Sequence, residues 1–159
     1  MKKFAMVFLL AMFALAGCGK SDSEVTLFNE TMAKEFEIVK YQEAIAPVYE
    51  NLVPYIAYAQ TAGQLEELKK RFDVGGFDID TDQYMAVFVA TYSDGCGVQV
   101  DNVYDRNGLL SVQLIFPKSD SCDKDAVPHT FVIQVPKGDY TKVQLYDGVV
   151  LKSTIDIKE

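Results

Sequence analysis

The second half of the chain alternates apolar and polar side chains, and this period of two is typical of half-buried β-strands. Two dipeptides, Asn107-Gly108 and Asp147-Gly148, interrupt the alternation. Both favour the tight turns of β-hairpins, because their residues tolerate positive φ angles. The pattern predicts strands at residues 84–92, 98–106, 109–116, 130–135, 142–146 and 149–157.

One amphipathic helix is predicted near residues 65–72. Thr61 and Gln64 have the spacing of a capping box, in which two side chains accept hydrogen bonds from free N–H groups at the helix start. Apolar residues follow at helical spacing, separated by charged ones: Leu65, Leu68 and Phe72. We expect Gly75-Gly76 to end this helix.

These segments indicate an α+β fold, mainly an antiparallel β-sheet or sandwich with one amphipathic helix packed on it. Two further strands are expected at residues 36–41 and 53–59. On the last strand, the period of two places one apolar set on the core face: Val149, Leu151, Ile155 and Ile157.

The N-terminus has the order of an export signal. Lys2 and Lys3 precede an uncharged apolar run at residues 4–16, which is too short to span a membrane. Leu15-Ala16-Gly17-Cys18 follows and resembles the bacterial lipobox. The resemblance implies a signal peptide at residues 1–17, cleavage before Cys18 and lipid on that cysteine. An ordinary secretory signal that contains a cysteine is the alternative.

Beyond the cut, we expect a lipid-anchored flexible tether at residues 18–34 and a single β-rich domain at residues 35–159. Cleavage would remove two of the 15 basic residues, leaving 13 against 23 acidic ones and a formal charge of −10. Such a charge repels phosphate backbones and lacks a polybasic patch for anionic lipids. Nucleic acid is therefore not expected as a partner, and the membrane contact is expected through lipid on Cys18.

Two of the three cysteines, Cys96 and Cys122, remain once Cys18 is assigned to lipid. Export would place them where disulfides persist, so we predict a bond between them. Two buried free thiols are the alternative.

Catalysis and metal binding are not predicted. The single histidine, His129, lies at a loop-to-strand junction, and no Gly-x-Ser-x-Gly motif supplies a nucleophile. The run Asp78, Asp80, Asp82 starts like a calcium loop, but Gln83 and Val89 stand where that loop needs Gly and Glu. A second acidic loop has the same lack of a motif: Asp120, Asp123 and Asp125. We predict a protein that is not an enzyme and has no cofactor.

A set of tyrosines is the candidate binding surface: Tyr41, Tyr49, Tyr55 and Tyr58. Tyrosine is favoured in interfaces because it buries a large ring and keeps a polar tip. Packing at strand ends and core margins is the alternative for the same residues.

Residues 53–146 resemble the PrcB-like family of bacterial lipoproteins, the protease-complex stability proteins. The matching order is the capped helix, then Phe77-Asp78-Ile79 leading to Met85-Ala86-Val87, then the turn Gly95-Cys96-Gly97 and a hairpin. A strand that ends in a basic residue, residues 128–137, comes last.

The resemblance implies a non-catalytic accessory lipoprotein. Such a protein would bind another extracytoplasmic protein, such as a protease, and stabilise or inhibit it. The alternative function is a small-molecule or ion-binding lipoprotein of the cell envelope.

Overall fold

The computed structural model describes residues 27–49 and 51–158. The predicted signal peptide, Cys18 and the first part of the tether lie outside these residues. Within the described ranges, no helix has the length and apolar character needed to cross a membrane.

In the described residues, eight strands form two four-stranded sheets that pack face to face. The first sheet has the order β1-β6-β3-β2 and the second β4-β5-β7-β8. The strands are β1 (Glu37–Gln42), β2 (Tyr55–Ala59), β3 (Tyr84–Ser93), β4 (Gln99–Asp105), β5 (Leu109–Ile115), β6 (Val127–Pro136), β7 (Lys142–Asp147) and β8 (Val150–Asp156). One helix, α1 (Ala62–Phe72), packs on the first sheet. The predicted fold class, a mainly antiparallel β-structure with one helix, is confirmed.

The main core lies between the sheets, where alternate residues of the strands interdigitate. β3 supplies Met85, Val87 and Val89, and β5 supplies Leu110 and Val112, all of them buried. The other face of the first sheet is also covered, because α1 lies on it. As a result β3, a central strand of that sheet, is apolar on both faces.

The helix forms as its capping residues predict. The Thr61 hydroxyl accepts a hydrogen bond from the Gln64 N–H at 3.3 Å, and the Gln64 side chain accepts one from the Gln60 N–H at 2.8 Å. The predicted stop at Gly75-Gly76 is wrong. The helix ends earlier, because Asp73 adopts a left-handed conformation and its N–H closes on the last turn of the helix.

The two sheets are joined in a way that local pattern does not show. β5 and β7 pair in parallel, because the chain crosses to the first sheet as β6 between them. The other strand pairs are antiparallel, including the two predicted hairpins β4–β5 and β7–β8. Asn107 and Gly108 both have positive φ angles, as the first hairpin turn requires.

The predicted core face of the last strand is wrong at its beginning. The pairing of β7 with β8 shifts between Leu145 and Tyr146, so that Ser153 opposes Leu145 and Leu151 opposes Tyr146. The extra β8 residue at this bulge breaks the period of two. Ile155 packs against the core, whereas Leu151 points away from it and is 46% exposed.

The domain begins earlier than the predicted boundary at residue 35. Phe28 is only 8% exposed and its ring stacks on Tyr104, with 4.7 Å between the ring centroids. It also meets Tyr146 edge-on at 5.0 Å. The N–H of Lys34 donates to the Val103 carbonyl at 2.8 Å. Residues 27–34 are therefore packed on the outer face and edge of the second sheet, although the sequence pattern assigned them to the predicted tether.

Cys96 and Cys122 lie within bonding distance, with their Cα atoms 5.2 Å apart, as the predicted disulfide requires. The bond links the β3–β4 and β5–β6 loops. The same loops meet at Gly95, whose N–H donates to the Asp123 carbonyl at 2.8 Å. A Cβ atom at Gly95 would lie 2.9 Å from the Asp123 backbone nitrogen, so only glycine permits this close approach.

Candidate functional site

A groove of about 540 Å³ runs between α1 and the edge strands of the two sheets. We call it the helix–edge groove, and the side chains that matter most in its walls are Tyr55, Tyr58, Glu67, Arg71, Asp156 and Lys158. β2 ends the first sheet and β8 ends the second, and both edges lie on this side of the molecule. The groove therefore presents the backbone of two edge strands beside a helix.

Tyr58 joins the two sheet edges at one end of the groove. Its hydroxyl donates to the Asp156 carbonyl at 3.5 Å and accepts from the Lys158 N–H at 2.9 Å. The hydroxyl thus stands in for a main-chain hydrogen bond between β2 and the end of β8.

Three aromatic or cationic groups stack at the other end of the groove. The rings of Tyr49 and Tyr55 lie parallel with centroids 4.0 Å apart. The guanidinium carbon of Arg71 lies 5.1 Å from the Tyr49 ring centroid and 5.8 Å from that of Tyr55. The stack includes a cation–π contact, which orients the Arg71 side chain.

The Tyr49 hydroxyl is buried and, among the described residues, it has no hydrogen-bond partner. Burial raises the pKa of Tyr49, Tyr55 raises it further, and the positive charge of Arg71 partly opposes the shift. The hydroxyl therefore stays protonated and keeps a donor next to the Arg71 charge.

The structure brings together three of the four candidate tyrosines. Tyr55 and Tyr58 line the helix–edge groove, and Tyr49 packs behind Tyr55. Tyr41 is separate from them, because it lies on β1 at the opposite edge of the first sheet. Arg71 was not singled out in the sequence, since its position on a charged helix face gives no sign that it turns toward two rings.

Tyr41 belongs to a hydrogen-bonded chain around His129. The Tyr41 hydroxyl lies 2.9 Å from Nδ1 of His129, and the Ser93 hydroxyl lies 2.7 Å from Nε2. The Ser93 hydroxyl also donates to the Asp94 carbonyl at 2.7 Å. Burial lowers the pKa of His129, and the Glu43 charge opposes this only in part. His129 is therefore neutral at pH 7.

These hydrogen bonds link the ends of β1, β3 and β6 near the disulfide. Ser93 is 6% exposed, so its hydroxyl is not presented to a substrate. Sequence reasoning missed Ser93, because its proximity to His129 depends on the register of β3 against β6, where Thr91 pairs with His129. The arrangement satisfies the polar groups of a buried histidine.

Asp80, in the first acidic run, stabilises a turn through its side chain. Asp80 accepts hydrogen bonds from the Asp82 N–H at 3.0 Å and from the Gln83 side chain at 2.7 Å. In the part of the chain that the structure describes, one group of possible metal ligands converges: Asp94, Cys96 and Cys122. The two cysteines in it bond each other, which leaves one carboxylate.

Exposed aliphatic side chains continue beyond the Tyr55 end of the groove. Pro54, Asp147 and Lys152 line one small cavity, which shows that the segment before β2 adjoins the β7–β8 hairpin. We call the exposed side chains of these two segments the apolar rim, and they are Leu52, Val53, Val149, Val150 and Leu151. Exposed apolar patches of this kind are typical of interaction surfaces.

Compared with models of protein families, with curated proteins and with solved structures, the chain matches none of them.

Proposed function

We propose that this protein is an extracytoplasmic lipoprotein of bacteria, anchored by lipid on Cys18, whose domain binds another extracytoplasmic protein without catalysing a reaction. The helix–edge groove receives an extended segment of that partner. The observation that carries the proposal is the groove itself, a concave site built from two tyrosines and an arginine beside two sheet edges.

The residue types in the groove support protein binding. Tyrosine and arginine are enriched in protein interfaces, and Tyr55, Tyr58 and Arg71 all line the groove. Edge strands offer unpaired N–H and C=O groups, to which an extended peptide can add as a further strand. β8 is such an edge and forms one side of the groove.

The apolar rim would enlarge the contact. A stable interface buries roughly 800 Å² on each partner, which exceeds what a peptide in the groove alone would cover. A segment that leaves the groove past Tyr55 would meet Val53 and Val150, both more than half exposed. Burying such side chains contributes about 25 cal/mol per Å² of apolar surface.

The proposed anchor and the proposed class of partner rest on the two resemblances in the sequence. The lipobox resemblance supports attachment through Cys18, and the PrcB-like resemblance favours an extracytoplasmic protease as the partner. Binding of the accessory protein would stabilise or inhibit that protease.

Site-specific photocrosslinking in intact cells tests the proposal. A photoreactive amino acid at Glu67, an exposed position in the groove wall, should capture one extracytoplasmic protein through one short segment. The same amino acid at Asp101, exposed on β4 at the far edge of the second sheet, is the matched control.

A blocking variant completes the test. Thr154 is exposed in the groove, so Thr154→Trp should fill the space without removing a core contact and should abolish the Glu67 crosslink. The same adduct from Asp101, or an adduct that survives Thr154→Trp, would show that the groove is not the binding site.

A small-molecule ligand is the second candidate, favoured by the groove volume of about 540 Å³, which lies in the usual range for ligand sites. It predicts a rise in melting temperature on addition of an envelope metabolite, because a ligand that binds the native state stabilises it. Thr154→Trp should abolish that rise.

A further inference from the structure

We propose that the Arg71 end of the helix–edge groove is a carboxylate subsite, which binds an Asp or Glu side chain of the docked segment. This inference rests on the proposed function and adds to it the chemistry of the partner. It predicts that the segment carries one acidic residue at a fixed place along the groove.

Arg71 is oriented by two rings, and no carboxylate among the described residues forms an ion pair with it. Its guanidinium lies against the Tyr49 and Tyr55 rings. Glu67 stands one helical turn earlier, a spacing at which helix ion pairs form, yet it does not pair with Arg71. The stack thus holds the guanidinium fork away from the carboxylate on its own helix.

The neighbouring groups are hydrogen-bond donors. The buried Tyr49 hydroxyl has no acceptor within the described residues, and the hydroxyl of Tyr55, on the ring beside it, is a donor as well. An arginine fork matches the two oxygens of a carboxylate and forms strong, charge-assisted hydrogen bonds with it. A carboxylate in the groove would supply an acceptor for Arg71 and for the Tyr55 hydroxyl, because both side chains line it.

Two other charged side chains of the groove, Asp156 and Lys158, do not act as partners or substitutes for Arg71. Asp156 forms an ion pair with Lys142. Lys158 follows β8 at the opposite end of the groove, where its N–H donates to Tyr58. Tyr55 and Tyr58 are three residues apart on an extended strand, which separates the two ends by about 10 Å. Of the two basic residues in the described lining of the groove, Arg71 is the one at the Tyr55 end.

The proposal commits to a single acidic side chain within an extended segment. The whole chain carries a formal charge of −8, which would repel a highly acidic partner at long range. The apolar rim continues beyond the Tyr55 end, so the docked segment has a surface to follow past Arg71. A carboxylate bound in mid-path belongs to a side chain and not to a chain terminus.

Selection from a phage-displayed library of random dodecapeptides tests the inference, with the full chain, purified as the cell makes it, as the target. Wild-type protein should enrich peptides with one Asp or Glu at a constant position. Replacing that residue by Asn or Gln in a synthetic peptide should weaken binding about tenfold, the usual effect of losing a hydrogen bond to a charged group.

Arg71→Gln should remove the acidic preference, and Arg71→Lys should restore it only in part, because lysine keeps the charge but not the fork. Lys70→Gln is the matched control. It removes the same charge from the preceding residue of α1, which does not line the groove. It should leave the preference for an acidic residue unchanged. Melting curves of each variant establish that the fold is retained.

The outcomes separate the inference from the proposed function. Peptides that are displaced by Thr154→Trp but show no acidic preference, or a preference that survives Arg71→Gln, overturn the carboxylate subsite and leave the groove as a protein-binding site. Failure to select any peptide that Thr154→Trp displaces overturns the proposed function as well.

Discussion

His129 accepts or donates at both ring nitrogens, to the Tyr41 and Ser93 hydroxyls, while its ring is buried at one end of the core. Burial lowers its pKa below the ordinary value of 6.5, so the unfolded chain binds a proton more readily than the native protein does. By linkage, the stabilising contribution of neutral His129 is fully present above about pH 6.5 and is lost as the pH falls toward the native pKa.

We therefore expect the free energy of unfolding to fall between pH 7 and pH 5, measured by urea denaturation. His129→Gln keeps hydrogen-bonding capacity without a titrating group, and it should flatten this part of the pH profile. An unchanged slope in His129→Gln would assign the pH dependence to other groups.

Residue types in the sequence identified candidate binding side chains, but not which of them lie close together in the fold. The four tyrosines were chosen for their chemistry, and the fold places Tyr55 and Tyr58 in one groove while Tyr41 contacts His129 at another edge. Which of these partners a tyrosine meets depends on strand order, and strand order is not encoded within a local window. Arg71 was missed for the same reason.

At the scale of elements, turn dipeptides and capping residues allowed the hairpins and the start of the helix to be predicted from sequence. Asn107-Gly108 and Thr61 act locally, so the β4–β5 hairpin and the start of α1 follow directly from sequence. The parallel pairing of β5 with β7 and the bulge in β8 depend on contacts distant in sequence. Residues 27–34 belong to the domain because Phe28 packs on the rings of Tyr104 and Tyr146, contacts that the sequence alone does not indicate.

The disulfide should stabilise the loops at one end of the sandwich. Cys96 and Cys122 are 26 residues apart, and closing a loop of that length contributes about 3.5 kcal/mol in the chain-entropy model. We expect the Cys96→Ser/Cys122→Ser double variant to unfold at correspondingly lower denaturant concentration. Reductant should destabilise the wild type to the same level and leave the variant unaffected. Equal stability of the oxidised wild type, the reduced wild type and the variant would show that the bond contributes nothing.

At the scale of the whole molecule, the proposed anchor determines where the protein is found. Cys18→Ser removes the thiol that would carry lipid and leaves the described domain untouched. We expect this variant to lose incorporation of radiolabelled palmitate and to move from the membrane fraction to the soluble fraction. Ser21→Ala, a substitution of similar size three residues later, serves as the control and should behave as the wild type does. Palmitate labelling that persists in Cys18→Ser would contradict the assignment.

If Cys18 carries the proposed lipid, the packing of Phe28 on the second sheet would also limit how far the domain can move from the membrane. With lipid on Cys18, only residues 18–26 link the membrane to the first packed residues, and a fully extended chain of that length spans at most about 30 Å. So short a tether would confine the domain to a thin layer beside the membrane. A membrane-bound partner would then meet it at a high effective concentration. Weak contacts in a shallow groove can then suffice for stable association, although the same groove would hold a freely diffusing partner only briefly.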